Sequence, residues 1–204
     1  MALEGGEGTG KSTQAELLAE HLGAILTREP GGTPVGEQIR SLLLDPASSD
    51  VSVRSEVLLM LAARAQHVEE VVAPALAAGR DVVCDRFSGS TLAYQGYGRG
   101  LDVEELAGLS RWASGGLEPD VVVLLQVGSA ETRKRTQGRA VMDRIEREGD
   151  DFFSRVMAGY SALAGADASR WTVVDGSGSV EEVAARVQAA VASRLGDPPR
   201  GIIG

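Results

Sequence analysis

The stretch Leu3–Thr13, LEGGEGTGKST, decides how the rest of the chain is read. Gly5, Gly10, Lys11 and Ser12 fall in the spacing G-x-x-x-x-G-K-[ST], with Thr13 directly after. That spacing belongs to a loop that wraps phosphates: its backbone N–H groups converge on an anion, and the following helix presents its positive end to the same point. Lys11 then serves as a compact charge on the outer phosphates, and the Ser12 hydroxyl reaches Mg²⁺. A glycine-rich turn with no ligand would leave Lys11, Ser12 and Thr13 without a reason.

The composition sharpens this reading. The chain has 204 residues, enough for one domain with a substantial core and a small mobile insert. A net charge of −9 argues against non-specific nucleic-acid binding. No stretch approaches the ~18 apolar residues of a membrane span, and no export signal precedes the loop. Cys84 is the single cysteine and reads as a small core residue. These features favour the cytoplasm. Only two residues are lysine, Lys11 and Lys134, against 18 arginines. A general bias toward arginine accounts for the excess but not for the lysine kept inside the loop, where a point charge acts better than a planar guanidinium.

Outward from the loop, short apolar runs alternate with amphipathic stretches. Strands are expected at Ala2–Glu4, Ala24–Thr27, Asp81–Asp85, Asp120–Val127 and Trp171–Asp175. The first is short, which reads as a start a few residues late. Helices are expected at Lys11–Leu22, Val35–Leu44, Val51–Ala78 with Pro74 interrupting it, Ser88–Gln95, Asp102–Ser114, Ser129–Thr136, Asp150–Leu163 and Ser179–Leu195. Ser179 and Glu182 have the spacing of a capping box. Residues 137–148 carry three arginines and no apolar period, so they read as a mobile loop without a buried face. Residues 196–204 read as a loose tail. Strands joined through helices need right-handed crossovers, so the expected fold is α/β. It is a three-layer, doubly wound parallel sheet of about five strands with helices on both faces, in a single domain, 1–204.

In such a sheet ligands bind beyond the carboxyl ends of the strands. Asp85 and Arg86 end a buried strand at that face. Asp85 is placed to assist Mg²⁺ and Arg86 to take a second phosphate; an ion pair closing the strand end is the plain alternative. Arg28, Arg40 and Arg64 are not distinctive one by one. Arg139, Arg144 and Arg147 fit either a solvated loop or a lid that clamps phosphates. His21 and His67 fall on helices as surface or packing residues.

As a set, the stretches EGGEGTGKSTQ, TREPGGTPVGEQIRSLLL, EVLLMLAAR, CDRFSGSTLAYQGYGRG, PDVVVLLQV and DRIERE resemble the bacterial thymidylate kinases over nearly the whole chain. The resemblance implies transfer of the γ-phosphoryl of ATP to dTMP, with Mg²⁺, in a cytoplasmic enzyme that is typically a homodimer. It implies that Gly5, Gly6, Glu7, Gly8, Thr9, Gly10, Lys11, Ser12 and Thr13 hold ATP and that Ser12 and Asp85 serve the metal. By the same resemblance Arg40 and Arg86 grip the dTMP phosphate and Arg64 bonds a thymine carbonyl. Thr91, Tyr94 and Gln95 line the base and sugar pocket, with Tyr94 disfavouring a 2′-hydroxyl. Glu29 lies near the acceptor phosphate and sugar, and Arg139 closes over the phosphates from a lid at about 137–148. The loop itself carries no arginine, which makes the chain resemble the lid-arginine type. Met60 stands where a phenylalanine stacking on thymine is common in the family.

Lys11, Arg86 and Arg139 are thus the expected catalytic residues. No strong general base is needed, because the acceptor phosphate oxygen is already nucleophilic at neutral pH. A kinase of the same fold acting on another monophosphate or small molecule is the main rival. A GTP-hydrolysing switch is disfavoured: its guanine reader, Asn-Lys-x-Asp, cannot occur in a chain with no asparagine. An assembly ATPase would want a remote arginine finger and a larger interface.

Overall fold

The computed structural model describes residues 1–136 and 142–195. Arg139, the front of the expected lid and the tail 196–204 lie outside them. Five strands form one sheet: β1 Ala2–Glu4, β2 Ile25–Arg28, β3 Val82–Asp85, β4 Val122–Gln126 and β5 Trp171–Asp175. Their order is β2-β3-β1-β4-β5 and every pairing is parallel.

Because β1 has β3 on one side and β4 on the other, the connections diverge at its carboxyl end, where a crevice opens. Register brings the strand ends together there: Leu3 and Arg28 both stand opposite Asp85, and Glu4 stands opposite Leu124. β2 runs one residue later than its apolar run suggested, which places Arg28 at the sheet edge.

Both faces of the sheet are covered, as unbroken apolar strands demand. Leu3, Val83, Val123 and Leu125 point to one face, against Ala15, Leu18 and Ala19 of α1 (Lys11–Leu22) and Val183, Val187 and Val191 of α9 (Val180–Leu195). Ala2, Cys84 and Leu124 point to the other. There Leu124 packs with Phe152, Val156 and Tyr160 of α8 (Asp150–Ala166). Burial pushes the Cys84 thiol well above its ordinary range, as befits a core residue.

Local signals explain the helix ends. Thr33 accepts from the Gly36 N–H at 2.9 Å and opens α2 (Pro34–Leu44), with Pro34 in the first turn where its missing N–H costs nothing. Both arms of the Ser179–Glu182 box form, at 2.9 and 3.2 Å. α3 (Val53–His67) passes through a π-helical turn, Val68–Val72, into α4 (Ala73–Ala77), so the break lies just ahead of Pro74. A second π-helical turn, Leu92–Gly98, follows α5 (Ser88–Thr91), before α6 (Val103–Ala113). α7 (Ser129–Thr136) leads toward the undescribed segment.

α8 lies directly on that second π-helical turn. A Cβ on Gly159 would stand 2.6 Å from the Tyr97 ring, so only glycine admits this approach. Arg155 donates twice to the Gly98 carbonyl, at 3.1 and 2.9 Å.

One expectation is corrected. Residues 142–148 do have a buried anchor: Ile145 is only 8 % exposed and joins the Phe152 cluster. Arg144 donates to the Leu43 carbonyl at 2.8 Å and to Glu56 at 2.6 Å. One isoleucine and one paired arginine dock the segment, which no periodicity over the stretch reveals.

Candidate active site

β1 delivers the chain into the phosphate loop. Gly5 has φ +142°, and a Cβ there would stand 2.5 Å from the Leu125 carbonyl, so no other residue fits between the loop and β4. Thr9 Oγ1 donates to the Gly6 carbonyl at 3.0 Å and closes the loop. Lys11 Nζ donates to the same carbonyl at 2.5 Å. With Lys11 only 6 % exposed, burial lowers its pKa to about 8, and the neighbouring Arg86 charge adds to the effect. Gly10, Ser12 and Thr13 are solvent exposed at the head of α1. Arg135 donates to the Thr9 and Gly176 carbonyls, at 3.4 and 3.0 Å, tying the loop to the turn after β5. The sequence reading missed this arginine, one of three basic residues in a row.

β3 ends in Asp85 and Arg86. Ser12 Oγ donates to Asp85 Oδ2 at 2.5 Å, while Asp85 Oδ1 is buried and has no hydrogen-bond partner among the described residues. A hydroxyl beside a carboxylate with one idle buried oxygen is a donor set suited to a hard cation such as Mg²⁺.

Arg86 sits at φ +70°, a left-handed conformation rare for a side-chain-bearing residue. Its guanidinium donates to the Gly5 carbonyl (2.9 Å), Ser90 Oγ (3.1 Å), Tyr160 OH (3.0 Å), Tyr94 OH (3.2 Å) and Glu7. Burial works against its charge, but Tyr94, Glu7, Tyr160 and Asp85 outweigh it and its pKa rises further. Beneath it, Glu4 is fully buried and accepts from the Phe87 N–H, the Ser90 N–H and hydroxyl, and Tyr160. Burial raises the Glu4 pKa. Neither Glu4 nor Tyr160 was singled out from sequence, since their partners come from distant segments.

A second buried cluster holds Arg64. Its Nε donates to Glu29 Oε2 (2.7 Å), Nη2 to Thr91 Oγ1 (3.0 Å) and Nη1 to Ser110 Oγ (3.2 Å), and the cation lies 5.1 Å from the Phe87 ring centre. His67 fills the space behind Glu29, with Nδ1 2.9 Å from Glu29 Oε1 and Nε2 2.7 Å from Thr27 Oγ1. It is more than a packing residue: it fixes the second oxygen of Glu29. Arg40 lies nearby, half-buried, donating to the Pro30 carbonyl at 2.9 Å; burial lowers its pKa, and Arg28 adds to that.

These clusters enclose one cavity of about 300 Å³, within the range of sites for small ligands. Glu7, Lys11, Ser12, Asp85 and Arg86 line its phosphate-loop end; Glu29, Arg40, Arg64, Thr91, Tyr94 and Gln95 line the other. Leu44, Met60 and Ile145 supply apolar wall. Gly5, Gly6, Gly8, Thr9, Gly10 and Thr13 shape the loop but do not line this cavity. A cationic, anion-binding lysine at one end and a pocket with both apolar wall and polar groups at the other suit two anionic substrates brought end to end.

Comparison with known proteins agrees. The family model described as thymidylate kinase matches residues 3–187. A thymidylate kinase of Desulfovibrio desulfuricans is 44 % identical over 214 aligned residues, covering 99 % of each chain. One from Synechococcus is 48 % identical over 202 residues, covering 96 % of this chain and 95 % of that one. The crystal structure of thymidylate kinase from Ehrlichia chaffeensis superposes with a TM-score of 0.78 at 30 % identity, covering 93 % of this chain and 96 % of that one. With the family model spanning most of its length and relatives this similar over nearly all of it, the chain belongs to the thymidylate kinase family.

Proposed function

We propose that this chain transfers the γ-phosphoryl group of ATP to the 5′-phosphate of dTMP, giving ADP and dTDP, with the cavity residues in the following roles. The observation that carries the reading is the single cavity joining Lys11 and Ser12 to Arg64, Tyr94 and Gln95. The loop from Gly5 to Thr13 cradles the ATP phosphates through its backbone N–H groups. Lys11, already desolvated, gives its charge most strongly as the γ-phosphoryl departs. Arg86 and Arg40 hold the dTMP phosphate against the repulsion of a second anion, so that attack runs in line. Arg86 is pinned by Gly5, Glu7, Ser90, Tyr94 and Tyr160, so its guanidinium needs little reorganisation as charge moves. Glu29 orients Arg64, which donates to a thymine carbonyl, while Gln95 and Thr91 meet the base and Tyr94 the sugar. Ser12 and Asp85 would hold Mg²⁺, which when bound neutralises charge on the transferring phosphates. Arg139 is the cation assigned to the lid at 137–148.

The same reading makes the protein a cytoplasmic homodimer. No described helix is long and apolar enough to cross a membrane. Leu58 of α3 is 62 % exposed and Trp112 of the neighbouring α6 is 81 % exposed, an apolar surface that supports pairing.

One coupled assay tests the reading: ATP consumption with dTMP, dUMP, dCMP, dGMP or AMP, and with no acceptor. The expected result is consumption only with an acceptor, dTMP being best, because a closed site excludes water. Equal turnover without acceptor, or a preference for a purine monophosphate, overturns it.

A further inference from the structure

Gln95 Nε2 donates to Glu56 Oε1 at 2.9 Å, behind the cavity wall. Glu56 is 1 % exposed and does not line the cavity. Its carboxylate also accepts from Arg144 Nη2 at 2.6 Å and from Arg99 Nη2 at 3.1 Å. A carboxylate can only accept, so the amide nitrogen of Gln95 must face it. The amide oxygen is left for the cavity, and no described residue donates to it. We propose that Glu56 is a specificity-determining positioning residue: it holds the Gln95 amide in one orientation, presenting an acceptor that matches the N3–H of a 4-keto pyrimidine and rejects a 4-amino pyrimidine.

The chemistry follows from the two bases. Thymine offers a donor at N3, whereas cytosine offers an acceptor there, so a fixed amide oxygen would meet another lone pair. A free glutamine would answer cytosine by turning its amide over, at almost no steric cost. Turning it here would set the amide oxygen against the buried Glu56 carboxylate, two acceptors facing each other with no proton between them, and would turn the amide N–H₂ away from its partner. Burial works to raise the Glu56 pKa, but the donors Gln95, Arg144 and Arg99 outweigh it and keep the carboxylate ionised. Glu56 is itself held in place from outside the cavity. Arg144 is fixed by the Leu43 carbonyl, and Arg99 pairs with Glu148. Gln95 therefore takes its direction from a cluster that does not line the cavity.

The inference rests on Gln95 facing the base, and the test separates the two. The kcat/KM for dTMP and for dCMP is measured in the parent, in Glu56→Gln and in Gln95→Leu. A glutamine at 56 can face either end of the Gln95 amide, so the dTMP/dCMP ratio is expected to fall by about tenfold or more. Gln95→Leu should also narrow the ratio. If Glu56→Gln lowers both substrates equally while Gln95→Leu narrows the ratio, Glu56 is only a structural pair and the inference is overturned. If Gln95→Leu changes neither dTMP turnover nor the ratio, the base-pocket reading fails instead. A measurement on the parent protein keeps the question open to test if Glu56→Gln does not fold. By NMR, the Gln95 side-chain NH₂ is expected to exchange slowly with water, free and dTMP-bound alike. Exchange as fast as that of an exposed glutamine overturns the inference.

Discussion

The Ser12 hydroxyl and the Asp85 carboxylate meet at 2.5 Å, joining the first turn of α1 to the end of β3 across 73 residues of sequence. The other Asp85 oxygen is buried and has no partner among the described residues. Asp85→Asn is therefore expected to raise the Mg²⁺ concentration needed for half-maximal turnover and to lower the rate at fixed Mg²⁺ by about ten- to a hundredfold. Titrating the rate with Mg²⁺ checks this, and an unchanged titration curve would remove Asp85 from metal binding.

Lys11→Ala should cut turnover by orders of magnitude yet leave the fold intact. The lysine is buried with its charge desolvated, so its loss relieves a cost that folding had borne. The thermal midpoint is expected to stay level or rise while the coupled assay loses its signal. A marked fall in the midpoint would show that Lys11 holds the loop together as well.

Arg86 separates charge from backbone strain. Arg86→Ala and Arg86→Gly lose the same guanidinium contacts, so both should lose most turnover. Only glycine relieves φ +70°, so the glycine variant should be the more stable of the two by about 1 kcal/mol in urea unfolding. Equal stability would mean that the loop relaxes when the guanidinium is gone.

Glu56 makes stability depend on pH. Its donors hold its pKa below the ordinary 4.5, so the folded state binds this proton less readily than the unfolded chain. The stabilisation it contributes is complete above about 4.5 and is lost as pH falls through the lower, folded-state value. The stability gap between the parent and Glu56→Gln should therefore be widest near neutral pH, at about 3 kcal/mol. It should close progressively below pH 4.5. A gap that stays constant from pH 7 to pH 4 would assign it to shape alone.

What the sequence made legible was local. The glycine loop, the apolar strands and the Ser179–Glu182 box are patterns over a few residues, and geometry follows from them directly. What it hid was pairing at long range. Arg144 reads as one more polar loop residue until the fold sets it against Glu56, 88 positions away. Tyr160 reads as part of a helix face, and its bond to Arg86 spans 74 positions. His67 shows a helical position but not that Thr27 and Glu29 stand on either side of it. In each case the partner comes from another element, so only the packing of distant elements decides the meeting. Arg139 and its place in the lid lie outside the described residues.

The close seat of Gly159 on Tyr97, with Arg155 bound to the Gly98 carbonyl, bears on how the molecule breathes. With no Cβ-sized gap between them, α8 and the turn at Leu92–Gly98 cannot separate one at a time. In native-state hydrogen exchange their amides should share one opening free energy and respond together to dilute denaturant, as a single cooperative unit. The acceptor side of the cleft would then be a rigid half-shell, and the motion that admits a substrate has to come from elements outside that pair.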